Sequence, residues 1–317
     1  MLSRELEARL RILIADTIPL PGSGQTPARH RRLMEIGREN LSLARLAEAH
    51  WDAVAILAEA ERNAEADAIY GVWASEKAGQ GLSIEPEGDR EGREFVINGT
   101  KMFCSGTRIV DRVLATVTHP ESRLIDIDLR TNCGSVRFDD SDWKTEAFSE
   151  TRTASATFNN ARISIDDFIG TPGWYLQRPG FWHGACGPAA CWAGGAAGLV
   201  DYAMTQSRHD PHTLAHLGAM HASVWALTSS LDSAGRGIDA MSNDYETARI
   251  RALTLRHVVE QACTDILRRL PRAYGPHPLA MNEEIGRRYQ ELDLYLRQSH
   301  AERDLEALGT AIREIHG

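Results

Sequence analysis

With 317 residues, 43% of them hydrophobic and 25% charged, the chain is long enough for two or three structural units around a large core. A formal net charge of -9 argues against sequence-independent nucleic-acid binding, which needs a broad basic face, yet a local arginine cluster can still hold an anion. The five cysteines, Cys104, Cys133, Cys186, Cys191 and Cys263, are odd in number and form no Cys-x-x-Cys pair. They therefore predict neither a disulfide framework nor a zinc site, but reduced thiols in the cytoplasm.

The first residues, Met-Leu-Ser-Arg-Glu-Leu-Glu-Ala-Arg-Leu, are charged and amphipathic, unlike a secretory signal. Residues 1–66 read as helices. Leu2, Leu6, Leu10 and Leu13 form one stripe, and Leu43, Leu46, Ala47, Trp51, Val54 and Leu57 another. Pro19, Pro21, Gly22, Gly24 and Pro27 mark a loop between them. From Asp67 the texture changes to short β runs. Residues 94–97 and 100–104 flank Asn98-Gly99, a strong hairpin signal, and further runs cover 113–117, 124–128, 135–138 and 154–158. Their spacing predicts a small antiparallel barrel or sandwich over 67–173.

From Trp174 to the end, residues 174–317, helical periodicity returns and predicts a bundle. Val258, Ala262, Ile266 and Leu270 lie on one face and Ile285, Tyr289, Leu292 and Leu296 on another, with Pro271, Gly275, Pro276 and Pro278 in the gap. The stretch from Arg178 to Leu199 carries no charge after Arg178 and is dominated by glycine and alanine. Small residues admit a neighbouring backbone or a flat ligand; the glycines and Pro188 make the stretch too weakly apolar to span a membrane. The expected class is thus a multidomain α+β protein: helices, a middle β domain, then a helical bundle.

Two further segments can carry chemistry. Trp73-Ala-Ser-Glu-Lys-Ala-Gly-Gln-Gly-Leu82 sets a hydroxyl beside glycines, which suits a planar heteroaromatic ligand and equally suits a strand followed by a glycine turn. Asn98-Gly-Thr-Lys-Met-Phe-Cys-Ser-Gly106 ends a strand in an aromatic and a small hydroxyl; a flat cofactor or a plain hairpin with Phe103 in the core both account for it.

Taken in order with the glycine-rich helix, these segments resemble the acyl-CoA dehydrogenase family over residues 40–317 or so. There the first reads Tyr/Trp-x-Thr-Glu-Pro-x-x-Gly-Ser-Asp and the second Asn-Gly-x-Lys-x-Trp-Ile-Thr-Asn. Ser75-Glu76 stands at the Thr-Glu, and Phe103-Cys104-Ser105 at the Trp-Ile-Thr. The resemblance implies FAD between the β domain and the bundle, with Trp73, Ser75, Phe103, Cys104 and Ser105 around its ring. It also implies an acyl-CoA or related thioester as substrate, oxidised across its CH–CH bond, and a homo- or hetero-oligomer.

The sequence departs from that pattern at the base. Gln298, in Arg297-Gln-Ser-His300, replaces the glutamate that removes the α-proton, and an amide is no base. The alternative base position falls near Pro188. Glu302, one turn beyond Gln298, is the substitute carboxylate, with His300 and His183 near the two positions. The family's Arg-x-x-Phe-Gly, which reaches FAD on a neighbouring subunit, corresponds to Gln206-Ser-Arg-His-Asp210, so Arg208 supplies that charge from a shifted position. The adenine-side Gln-x-x-Gly-Gly survives only as Arg268-Arg-Leu-Pro-Arg-Ala-Tyr-Gly275, and the N-terminal helical part is short. An FAD-dependent dehydrogenase, a subunit without the glutamate that completes a mixed oligomer, a flavin monooxygenase, and a ligand-free structural protein remain open.

Overall fold

The computed structural model describes residues 2–75, 81–87, 93–241 and 243–316. Helices come first: α1 (Leu2–Ile14), α2 (Thr26–Glu39) and α3 (Leu41–Glu59). Leu6 and Leu10 bury the inner face of α1. Pro27 belongs to the first turn of α2 and not to the preceding loop, because a missing N–H costs nothing there. The extended backbone of Asn40 separates α2 from α3, and its side-chain oxygen accepts from the Leu43 amide at 2.8 Å, capping the new helix.

Eight strands follow: β1 (Tyr70–Trp73), β2 (Leu82–Pro86), β3 (Glu94–Cys104), β4 (Arg112–Val117), β5 (Arg123–Asp128), β6 (Val136–Asp139), β7 (Ala154–Ser164) and β8 (Phe168–Ile169). They form two four-stranded sheets, ordered β1-β4-β5-β8 and β2-β3-β7-β6. Every pair is antiparallel except β1 and β4, which run parallel with Tyr70 opposite Arg112 and Trp73 opposite Ala115. The chain leaves the first sheet after β1, builds β2 and β3 in the second, and returns; that crossover is what a parallel pair requires.

Asn98-Gly99 does not turn a hairpin. It lies inside the single long strand β3, at a bulge between Ile97 and Gly99. Gly99 has φ +122, and a Cβ there would collide with the Gly81 carbonyl, so the glycine admits a neighbouring backbone. The Asn98 side chain pairs with Asn160 on β7, accepting from its amide at 2.8 Å. The expected hairpin is thus replaced by a bulge, because β3 continues through Gly99 to pair with β7 on both sides of it.

The remaining helices are α4 (Trp174–Gln177), α5 (Pro179–Gly184), α6 (Cys186–Thr205), α7 (Pro211–Ala240), α8 (Tyr245–Tyr274), α9 (His277–Met281), α10 (Glu283–Leu296) and α11 (Glu302–His316). α8 runs through Pro271, so that proline is not part of a gap; on the predicted face Ile266 and Leu270 are buried but Val258 is exposed. The chain divides into two compact units, Met1–Thr17 with Ala49–Arg178, and Ile18–Glu48 with Pro179–Gly317.

In the first unit, Val113, Leu114, Ile125, Ile127, Phe148 and Phe158 fill the core, and Arg11 of α1 reaches Asp111 at 3.1 Å. In the second, α6 is the central helix and is buried almost throughout. Glycines on both α2 and α6 serve their backbone contact: a Cβ on Gly37 of α2 would meet the Cys191 carbonyl at 2.5 Å, and one on Gly194 of α6 would meet the Arg38 amide at 2.7 Å. No helix among the described residues is long and apolar enough to cross a membrane.

Candidate functional site

Two of the segments singled out in the sequence meet in the β-containing unit. Trp73 ends β1 and is buried, its ring edge-on to Phe138 and Phe158 at 6.2 and 6.5 Å. Its indole N–H donates to the carbonyl of Ser105, just past β3, at 3.0 Å. A second tie comes from Lys101, only 1% exposed, whose Nζ donates to the Ser75 carbonyl at 3.2 Å and to Thr116 Oγ1 on β4 at 2.6 Å. A buried ammonium must be satisfied by such acceptors, so Lys101 fixes the backbone of Ser75 against two strands. The Ser75 side chain is exposed; Glu76 and residues 77–80 lie outside the described residues.

Phe103 stands out from the end of β3, 58% exposed, with φ 58. A non-glycine residue in the left-handed region carries a backbone cost that the surrounding β bulge must support. Cys104, by contrast, turns inward. It is fully buried, its Sγ points at the carbonyls of Lys101 and Met102, and burial pushes its thiol up to about 12.

Ser105 Oγ lies 3.2 Å from Thr153 Oγ1, and Thr153 Oγ1 lies 3.0 Å from Thr151 Oγ1. Thr151 donates its hydroxyl proton to the Phe148 carbonyl at 2.8 Å. Each hydroxyl has one proton. Thr153 must therefore donate to Thr151, and Ser105 to Thr153. The relay leaves Ser105 with lone pairs, and no proton, to offer outward.

In the helical unit, Asp210 caps α7, accepting from the His212 and Thr213 amides. Its carboxyl is held well below the usual range by the Thr213 hydroxyl and by Arg208, whose Nε donates to it at 2.8 Å. Tyr274 fastens this corner, donating its hydroxyl proton to the Ala203 carbonyl. On α8, Arg268 and Arg269 share Asp265, and Arg272 is exposed. Burial, then Arg269, Arg272 and Arg268, lower the pKa of His216, which marks a local positive field on a chain of net charge -9.

Gln298 follows α10 with its side chain exposed. Its carbonyl accepts from Arg256 Nη2 at 2.7 Å, while Nη1 of the same guanidinium donates to the Ala185 carbonyl just before α6, at 3.0 Å. Arg256 is buried and lies over the Trp192 ring, 4.8 Å from its centroid. One arginine therefore ties the Gln298 segment to the start of α6, where the carboxylate of the buried Glu48 lies against Gly187. Glu302 is exposed on the first turn of α11, and His300 pairs with Asp304 at 3.1 Å. Among the described residues, no group of three or more His, Cys, Asp or Glu side chains could hold a metal ion.

No protein-family model and no curated protein matches the sequence. Solved structures do match over most of the chain. The dibenzothiophene monooxygenase TdsC from Paenibacillus sp. A11-2, in its complex with FMN and indole, aligns with 97% of this chain and 95% of its own, at TM-score 0.76 and 17% identity. Butyryl-CoA dehydrogenase from Megasphaera elsdenii aligns over 88% and 80%, at TM-score 0.72 and 13% identity. The chain has the acyl-CoA dehydrogenase fold. A third structure that shares it is KijD3 in complex with FMN and dTDP-3-amino-2,3,6-trideoxy-4-keto-3-methyl-D-glucose, over 86% and 75%, at TM-score 0.73 and 14% identity.

On this fold, Lys101, Thr153 and Arg256 hold Ser75, Ser105 and Gln298 in place. Lys101 stood inside the Asn-Gly-x-Lys motif, but its burial was not visible there. Thr153 and Arg256 gave no local signal, since each acts on a segment distant in sequence.

Proposed function

We propose that the chain is a flavin-dependent oxidoreductase that oxygenates its substrate instead of dehydrogenating an acyl thioester. The observation that carries this reading is Gln298, an amide where the dehydrogenase resemblance calls for a carboxylate, with no acidic residue at the alternative position near Pro188. Oxygenation needs no α-proton base, and the dibenzothiophene monooxygenase TdsC aligns over nearly its whole length.

The residues present fit a flavin. Phe103 offers an exposed aromatic face, Ser105 offers an acceptor to a ring N–H, and Ser75 is held beside Lys101 with its hydroxyl exposed. Trp73 acts indirectly, orienting Ser105 through its carbonyl. As the resemblance implies, Arg208 would offer its charge to the phosphate of a flavin held by a neighbouring subunit, a group common to FMN and FAD. Cys104 has no part in this reading beyond filling the core. Reduced flavin would supply two electrons to molecular oxygen, one oxygen atom passing to the substrate and the other leaving as water. As the resemblance implies, we read the working form as an oligomer.

Titration with FMN and FAD, followed by flavin fluorescence, tests the first half of the proposal. Anaerobic addition of butyryl-CoA tests the second: the flavin absorbance is expected to persist, whereas indole with reduced flavin and oxygen is expected to gain one oxygen atom by mass spectrometry. Failure to bind either flavin, or bleaching by the thioester, would overturn the proposal.

A further inference from the structure

Where α5 meets α8 in the helical unit, two buried nitrogens stand without an acceptor. Trp182 Nε1 on α5 and Arg251 Nη1 on α8 are both sealed from solvent, and neither finds a hydrogen-bond partner among the described residues. An indole N–H and a guanidinium N–H can only donate, and a buried donor left unpaired is costly, a charged one most of all. Trp192 Nε1 is orphaned too, but its ring lies wholly inside the core. Trp182, Tyr245 and Arg251 each keep part of their surface exposed, so this corner opens to solvent.

The two donors lie together. Trp182 packs edge-on against Tyr245, in the first turn of α8, at 6.3 Å, and against Phe181 at 5.2 Å. Cys186 Sγ points at the Trp182 carbonyl at 3.5 Å and feels the charge of Arg251. Arg251 lies over Gly237 of α7, where a Cβ would meet its Nε at 2.7 Å, so the glycine makes room for the guanidinium. Asp244, whose field reaches that guanidinium, caps α8 through the Thr247 amide at 2.6 Å and does not bond Nη1. Burial accordingly lowers the pKa of Arg251.

We propose that this corner binds an aromatic carboxylate, whose oxygens accept from Arg251 Nη1 and Trp182 Nε1 and whose ring lies among Phe181, Trp182 and Tyr245. Arginine presents its donors in a planar fork that matches a carboxylate, and two N–H groups suit its two oxygens. The aromatic edges suit a flat apolar body. The inference is independent of the flavin reading, and its test uses no flavin.

Calorimetric titration of the full chain with phenylacetate gives the test, with phenylacetamide as its uncharged counterpart and acetate as its ringless one. Phenylacetate is expected to bind, and the other two at least about tenfold more weakly. Arg251→Met keeps a stem over Gly237 and removes the charge, so affinity for phenylacetate should fall by about ten- to a hundredfold. Trp182→Phe keeps a ring and deletes the N–H, and should weaken binding by about three- to tenfold. An unpaired buried cation is unfavourable, so Arg251→Met should melt no lower than wild type without ligand, which separates loss of binding from loss of fold. No binding of phenylacetate to wild type, equal binding of phenylacetamide, or wild-type affinity in either variant would overturn the site. A lower melting temperature for Arg251→Met would overturn it too, since the guanidinium would then already have its partner within the fold. Acetate binding as tightly as phenylacetate would overturn the aromatic class of ligand.

Discussion

The indole N–H of Trp73 and the carbonyl of Ser105 meet at 3.0 Å, joining the end of β1 in one sheet to the residue that follows β3 in the other. The bond makes one structural element of two motifs whose bonded residues lie 32 positions apart. Trp73→Phe keeps the aromatic packing on Phe138 and Phe158 but strands the Ser105 carbonyl. Loss of a buried hydrogen bond of this kind costs about 1–2 kcal/mol, so the urea midpoint should fall accordingly and flavin affinity with it. Unchanged stability and affinity would mean that the two motifs hold their places without the bond.

The hydroxyl relay makes a second prediction. Ser105→Ala removes the outward acceptor, and flavin affinity should fall by about three- to tenfold, the equivalent of roughly 1 kcal/mol. Thr153→Val preserves shape but removes the group that receives the Ser105 proton. It should weaken binding less than Ser105→Ala does, because the Ser105 oxygen remains. The reverse order, read by fluorescence titration, would contradict the direction of the relay.

His50 sets a pH dependence. It is 7% exposed, its Nδ1 accepts from the Tyr70 amide at 3.1 Å, and burial lowers its pKa to about 4. The folded protein therefore holds the ring neutral while the unfolded chain protonates it near 6.5. Between those values the unfolded state binds more protons, so stability is full above pH 6.5 and falls as pH drops towards 4. The loss attributable to His50 is about 3 kcal/mol at its limit. A His50→Gln variant should show a correspondingly shallower fall in melting temperature from pH 7 to pH 4.5; an equal fall would assign the dependence to other groups.

Much of this architecture was legible because periodicity is local. Leu6 and Leu10 announce α1, and the alternation around Val113 and Ile125 announces β4 and β5. The glycine content of α6 announced close approach, but whether a ligand or α2 would fill the space depended on Gly37, more than 150 positions away. Asn98-Gly99 signals a hairpin locally, but β3 runs on through it because Leu82 and the β7 residues that pair there are distant in sequence. In the candidate site, Ser75 and Ser105 were visible as motif positions, whereas Lys101, Thr153 and Arg256 act across the fold and leave no mark on their neighbours.

Gln298 provides the sharpest test of the chemistry. Its backbone is fixed by Arg256, so Gln298→Glu changes the side chain without displacing the segment. A positioned base contributes about 10²- to 10⁴-fold to proton abstraction. In a dehydrogenase that had merely lost its glutamate, this substitution would restore bleaching of bound flavin by butyryl-CoA by a factor of that order. In an oxygenase the thioester is no substrate and the new carboxylate gains nothing. Bleaching by Gln298→Glu should therefore stay at the wild-type background under anaerobic stopped flow. Glu302→Gln should likewise leave the oxygenation of indole unchanged, since Glu302 is an exposed residue on the first turn of α11. A gain of a hundredfold in the first variant would return the chain to the dehydrogenases as a member without its base; a loss of oxygenation in the second would make Glu302 part of the machinery.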